Sequence, residues 1–120
     1  MKTLKMAEGV FDIEAKAIMG LKKKLTIDFV KAVDAILSTK GRVVVCGMGK
    51  SGIIGKKISA TLASTGTPSF YIHPGEASHG DLGMITPDDI LFAISNSGET
   101  DEVLRLVPFF HSNGNMIIAM

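Results

Sequence analysis

Two short stretches rich in glycine and hydroxyl side chains carry the chemistry legible in this chain. The first, Gly47-Met48-Gly49-Lys50-Ser51-Gly52, follows the apolar run Val43-Val44-Val45-Cys46 and opens a stretch of helical spacing. Glycines let the backbone approach a ligand, and the free N–H groups of a helix start face an anion, so this stretch has the form of a phosphate cradle. Gly47, Gly49 and Gly52 also satisfy G-x-G-x-x-G. A dinucleotide site of that kind wants an acidic residue about 20 positions further on, at the end of the next strand. Ile72-His73-Pro74 stands there instead, and a Walker A loop would need glycine at Val44. The second stretch, Ser95-Asn96-Ser97-Gly98-Glu99-Thr100, sets three hydroxyls around one glycine, again between an apolar run and a helical pattern. Its hydroxyls can donate to phosphate oxygens, helped by the positive end of a helix dipole. A plain turn with Thr100 as N-cap is the competing interpretation, weakened by a second loop of the same kind.

These loops need elements to hold them. Arg42-Val43-Val44-Val45-Cys46 is nearly continuous in apolar residues and ends in glycines, as a parallel strand buried on both faces would. Ser51 to Ser64 predicts a helix with Ile54, Ile58 and Leu62 four apart, stopped by Gly66-Thr67-Pro68. Further strands are expected over Ser69–His73, Ile90–Ser95 and Met116–Met120, with a helix over Thr100–His111 that turns Val103, Leu106, Val107 and Phe110 inward. Ahead of them, Val10, Ile13, Ala17, Leu21 and Leu25, then Leu25, Phe29, Ala32 and Ile36, recur at three or four residues and predict two amphipathic helices, with Lys22, Lys23 and Lys24 as a solvated end between them. Alternating strands and helices imply an α/β fold with a parallel sheet, right-handed crossovers and ligands beyond the carboxyl ends of the strands. Residues 1–40 are expected to be a helical segment and residues 41–120 the first part of the α/β domain. The chain ends within an apolar strand with no helix after it, the pattern of a fragment.

Composition narrows the partners. The 120 residues fit one domain, with 46% hydrophobic and 21% charged residues, as in globular proteins. With 13 Lys+Arg against 12 Asp+Glu, there is no basic field for nucleic acid, so phosphate recognition must be local. No apolar run approaches the roughly 20 residues of a membrane span, and no signal-peptide core is present, so a soluble cytoplasmic protein is expected. Cys46 is the single cysteine and sits in the strand pattern, a buried thiol rather than a nucleophile. Three histidines and one cysteine without clustered spacing argue against a required metal, and any zinc at His79 would be adventitious.

Four blocks in order carry a resemblance: Gly47-Met48-Gly49-Lys50-Ser51-Gly52, Ala63-Ser64-Thr65-Gly66-Thr67-Pro68, His79-Gly80-Asp81-Leu82-Gly83-Met84 and Ser95-Asn96-Ser97-Gly98-Glu99. From about Gly41 onward the chain resembles bacterial arabinose-5-phosphate isomerases, sugar-phosphate isomerases of the SIS type. The resemblance implies a flavodoxin-like fold with a five-stranded parallel sheet flanked by helices, commonly followed by a pair of CBS domains, in a tetramer. It implies interconversion of D-arabinose 5-phosphate and D-ribulose 5-phosphate without a nucleotide cofactor, feeding the lipopolysaccharide sugar Kdo or capsule. It carries sugar-phosphate binding onto Ser51, Ser95, Ser97 and Thr100, with the glycines Gly47 and Gly49 of the cradle, and activity onto Lys50, His79 and Glu102. One position departs: the residue after Gly52, often His in the family, is Ile53, which removes any polar role there.

Such an isomerase must take the C2 proton, stabilise an enediolate and return a proton at C1. Glu102, near the start of its helix, suits the proton carrier, with Glu99 and Asp101 as close competitors and a simple dipole-favoured surface charge as the bland alternative. Lys50 suits stabilisation of oxyanion charge, or plain phosphate pairing. His79 suits ring-opening proton transfer, or a structural loop role. Two other functions compete: a non-catalytic sugar-phosphate sensor, usually fused to a DNA-binding domain absent ahead of Gly41, and a dinucleotide-binding module.

Overall fold

The computed structural model describes residues 1–120, which fall into two compact units, residues 1–33 and residues 34–120. The first holds helix α1 (Lys2–Gly20) and a 3-10 turn, Leu21–Lys24, with Lys22, Lys23 and Lys24 exposed. Helix α2 (Ile27–Ser38) runs across the division between the units. The helical periodicity is confirmed, but Val10, Ile13, Leu21, Leu25 and Phe29 stay exposed, and neither helix has a buried residue. An apolar stripe at helical spacing fixes the helix and its face; it does not say what covers that face.

The second unit contains β1 (Val43–Gly47), α3 (Gly49–Ser64), β2 (Ser69–Ile72), α4 (Pro74–Ala77), a 3-10 turn (Asp81–Met84), β3 (Ile90–Ile94), α5 (Asp101–Leu104), α6 (Val107–Ser112) and β4 (Met116–Ala119). The four strands are parallel in the order β2-β1-β3-β4, with Val43 beside both Ser69 and Ile90, and Ile90 beside Met116. The central strand β1 is buried along its whole length, as its unbroken apolar run requires. Alternation divides its residues between two layers. Val44 and Cys46, with Leu91 and Ala93, pack against Val103, Leu106 and Phe110. Val43 and Val45, with Ile94, pack against Ile36, Ile58, Leu62 and Tyr71.

Helix α3 carries Ile54, Ile58 and Leu62 as expected, but its buried face runs through Gly52, Gly55 and Ser59, and Ile54 is exposed. One expectation for the helices needs correction: the helix expected over residues 100–111 is two pieces, α5 and α6, separated at Arg105 and Leu106. Pro108 is the cause: it has no N–H to give the carbonyl four residues back, so one continuous helix would lose a rung there. Val103, Leu106 and Phe110 are nevertheless buried, and Val107 is half-buried.

At the amino ends of the strands a polar clamp closes the sheet. The buried Asp89 carboxylate accepts from the Arg42 N–H at 2.7 Å, the Arg42 Nε at 3.2 Å and Nη2 at 2.9 Å, and the Thr86 N–H at 2.8 Å. The same guanidinium donates to the Met84 carbonyl at 2.6 Å and lies 4.7 Å from the Phe70 ring centroid. Burial pushes the Asp89 carboxyl up, but the hydrogen bonds from Arg42 and Thr86 together with the Arg42 charge outweigh it and hold it below its ordinary value.

Candidate functional site

The order β2-β1-β3-β4 places a topological switch between β1 and β3: the chain leaves β1 toward β2 and leaves β3 toward β4. A crevice opens at such a point outside the carboxyl ends of the strands. Gly47 and Ile94 are paired in register there, so the two glycine and hydroxyl loops begin side by side.

After β1 the chain turns at once into α3. Gly49, at φ 58°, adopts the left-handed conformation that permits so abrupt a start. The first amides of α3 have no intrahelical acceptor, and no acidic residue in its first turn competes for its positive end. Gly52 lies where the helix crosses the strand end: a Cβ there would stand 2.5 Å from the Gly47 carbonyl oxygen and 2.6 Å from the Tyr71 hydroxyl. Gly52→Ala is therefore expected to push the α3 start off β1 and to cost about 1–3 kcal/mol of stability, as overpacking a close contact does, measured by urea unfolding.

After β3 the hydroxyls are already engaged with one another. The Ser95 and Thr100 hydroxyls lie 2.8 Å apart, Gly98 N–H donates to the Ser95 Oγ at 3.0 Å, and Glu99 N–H donates to the Ser97 Oγ at 3.0 Å. Thr100 is the N-cap of α5, yet its side chain makes no cap bond; it pairs with Ser95 instead. Each hydroxyl has one hydrogen. The Ser95 and Thr100 pair uses one of its two, so the three hydroxyls of this loop keep two for an anion.

The loops converge on a cavity of about 330 Å³ lined by Ser51, Ile94, Ser95, Asn96 and Met120. Of the residues expected at the site, Ser51 and Ser95 line it directly, and Ser97 and Thr100 belong to the same loop as Ser95. Lys50 is exposed at the first turn of α3 next to Ser51. His79 is exposed between α4 and the 3-10 turn, and Glu102 is half-buried in the first turn of α5. Neither lines the cavity; α4, which precedes His79, packs beside α5, which carries Glu102, with Ala77 and Val103 in one apolar cluster. Asp101 shares that turn and Glu99 precedes it. His73 caps α4, its Nδ1 accepting from the Gly75 N–H at 3.1 Å, and no carboxylate stands at the end of β2 for a ribose.

Three lining residues escaped the sequence. Asn96 stands between two serines already singled out, and its position directly after a strand was the available signal. Ile94 and Met120 enter through register: Ser95 N–H donates to the Met120 carbonyl at 2.9 Å, which carries the end of β4 to the cavity. Cys46, buried one residue before Gly47, has its thiol pushed up to about 12 by desolvation and takes no part.

Known proteins are similar to this chain in sequence and in fold. Arabinose 5-phosphate isomerase KdsD of Pseudomonas aeruginosa is 55% identical over 114 residues, covering 95% of this chain and 35% of that protein. The protein of the same name from Yersinia pestis is 56% identical over 111 residues, covering 92% of this chain and 34% of its own length. The chain thus spans about a third of the length of these curated relatives. A structure from Escherichia coli CFT073, solved in complex with arabinose 5-phosphate, superposes with a TM-score of 0.90 at 42% identity, covering 98% of this chain and 63% of that one. The SIS domain model matches residues 36–120, which take in the whole sheet and both loops. A doubly wound sheet with hydroxyl-bearing loops at its switch point, and a family match across that whole unit, place this chain in the SIS domain family.

Proposed function

We propose that the full-length protein carrying this chain is an aldose–ketose isomerase that interconverts D-arabinose 5-phosphate and D-ribulose 5-phosphate through an enediol. The observation that carries this reading is the shared cavity of Ser51 and Ser95, in a chain more than half identical to proteins named for that activity. The start of α3 and the Ser95 to Thr100 hydroxyls hold the phosphate. Glu102 moves the proton between C2 and C1, Lys50 stabilises the oxyanion of the enediolate, and His79 assists ring opening. His79 follows α4, which packs beside the α5 helix that carries Glu102, and this neighbourhood supports a common target. The protein works as a homotetramer in the cytoplasm, supplying Kdo or capsule synthesis; consistent with that setting, no helix is long and apolar enough to cross a membrane.

The test is incubation of the full-length protein with D-arabinose 5-phosphate in deuterated water. Ribulose 5-phosphate carrying deuterium at C1, with exchange at C2 of recovered substrate, is the expected result. Binding without conversion would replace the isomerase by a sugar-phosphate sensor, and absence of both would remove the substrate class.

A further inference from the structure

We infer that Tyr71 is a positioning residue for the phosphate loop, its hydroxyl setting the direction of the peptide that links β1 to α3. Tyr71 lies on β2, beside Val45 in register, and its side chain reaches past Cys46 to donate to the carbonyl of Gly47 at 2.5 Å. That carbonyl is the last of β1 and belongs to the Gly47–Met48 peptide. A trans peptide is planar, with its C=O and N–H opposed. Holding the carbonyl toward Tyr71 therefore sends the Met48 N–H the other way, to the β3 side, where Gly47 pairs with Ile94.

The slot that receives the tyrosine is built for it. Helix α3 presents glycine where the ring and hydroxyl pass: a Cβ on Gly52 would lie 2.6 Å from the hydroxyl, and one on Gly55 3.4 Å from the ring carbon Cε2. Lys56 covers the ring from outside, its Nζ 5.3 Å from the centroid. The closing glycine of the G-x-G-x-x-G pattern thus has a second task besides helix packing, since it leaves room for the hydrogen bond that orients the opening glycine. Burial pushes the phenol above its ordinary value, which keeps it a donor at neutral pH.

This role rests on the reading that residues 47–52 hold the phosphate of the substrate. Full-length protein is compared with its Tyr71→Phe variant, which keeps the ring and removes the hydroxyl. Inorganic phosphate binding is measured by calorimetric titration, with kcat and KM for D-arabinose 5-phosphate. The expected result is a dissociation constant for phosphate and a KM both raised about three- to tenfold, as for loss of one net hydrogen bond, with kcat and Tm nearly unchanged. Lys56→Met, which leaves the hydroxyl in place, should alter neither constant. Unchanged phosphate affinity in Tyr71→Phe overturns the role, and so does weaker binding accompanied by a large fall in Tm, because the hydroxyl would then serve only the fold. A parent protein that binds phosphate but does not convert the sugar removes the isomerase reading and leaves the titration to decide on Tyr71. A parent that binds no phosphate overturns both.

Discussion

Lys50→Ala in the full-length protein is expected to lower kcat for D-arabinose 5-phosphate by about 10²–10³-fold, the usual cost of removing one preorganised group that meets developing negative charge. The fold gives little reason for any other effect. Lys50 is exposed and forms no ion pair, for the ion pairs of the chain are Lys31 with Asp28 and Arg42 with Asp89. Its removal should leave Tm within about 1 °C, since exposed substitutions away from special contacts change stability by less than about 0.5 kcal/mol. The split between constants separates two roles. If Lys50 only pairs with the phosphate, KM rises and kcat persists; if it holds enediolate charge, kcat falls. A variant with near-normal turnover would remove Lys50 from the chemistry.

The second large effect concerns stability. Asp89→Ala should cost about 3 kcal/mol, the lower part of the range for breaking a buried ion pair. The Asp89 side chain is fully buried and its loss strands the N–H groups of Arg42 and Thr86, whereas the Arg42 side chain is 37% exposed and recovers part of its hydration. The same clamp sets an acid limit. Because the folded-state pKa of Asp89 is depressed, its contribution is fully present above the unfolded carboxylate value of about 3.9 and is lost as pH falls through the lower folded value. Urea unfolding should show a large midpoint difference between parent and variant at pH 7 that narrows below about pH 4. Equal midpoints at neutral pH would show that the clamp contributes nothing net.

Elements governed by local physics were legible in the residues. The β1 run is apolar throughout because both faces are covered, and that same pattern announced a parallel sheet. The two site loops were legible because each concentrates glycine and hydroxyl residues within six positions. What stayed hidden depends on distant partners. Arg42 and Asp89 are 47 residues apart, and Tyr71 and Gly47 are 24 apart; no periodicity links either pair. The split at Arg105 has its signal in Pro108, which stands within the expected helix, but the apolar spacing of Val103, Leu106, Val107 and Phe110 runs across it and masks the missing N–H. On α3 the buried face is marked by the small residues Gly52, Gly55 and Ser59 and not by the large apolar Ile54, which spacing alone does not reveal. The assignments of Lys50 and Glu102 come from their place in and beside the loops and from the family resemblance, that of His79 from the irregular stretch after β2 and the resemblance, and the cavity lining itself includes none of the three.

Cys46 gives the sheet an internal clock. Its sulfur is wholly enclosed between layers, and with a thiol pKa of about 12 almost none is thiolate at neutral pH. A thiol reagent can therefore reach it only when the central strand parts from its neighbours, an event of the rarest, whole-unit kind. The rate at which this one sulfur is labelled reports such openings, with no probe to introduce and no other cysteine within these 120 residues.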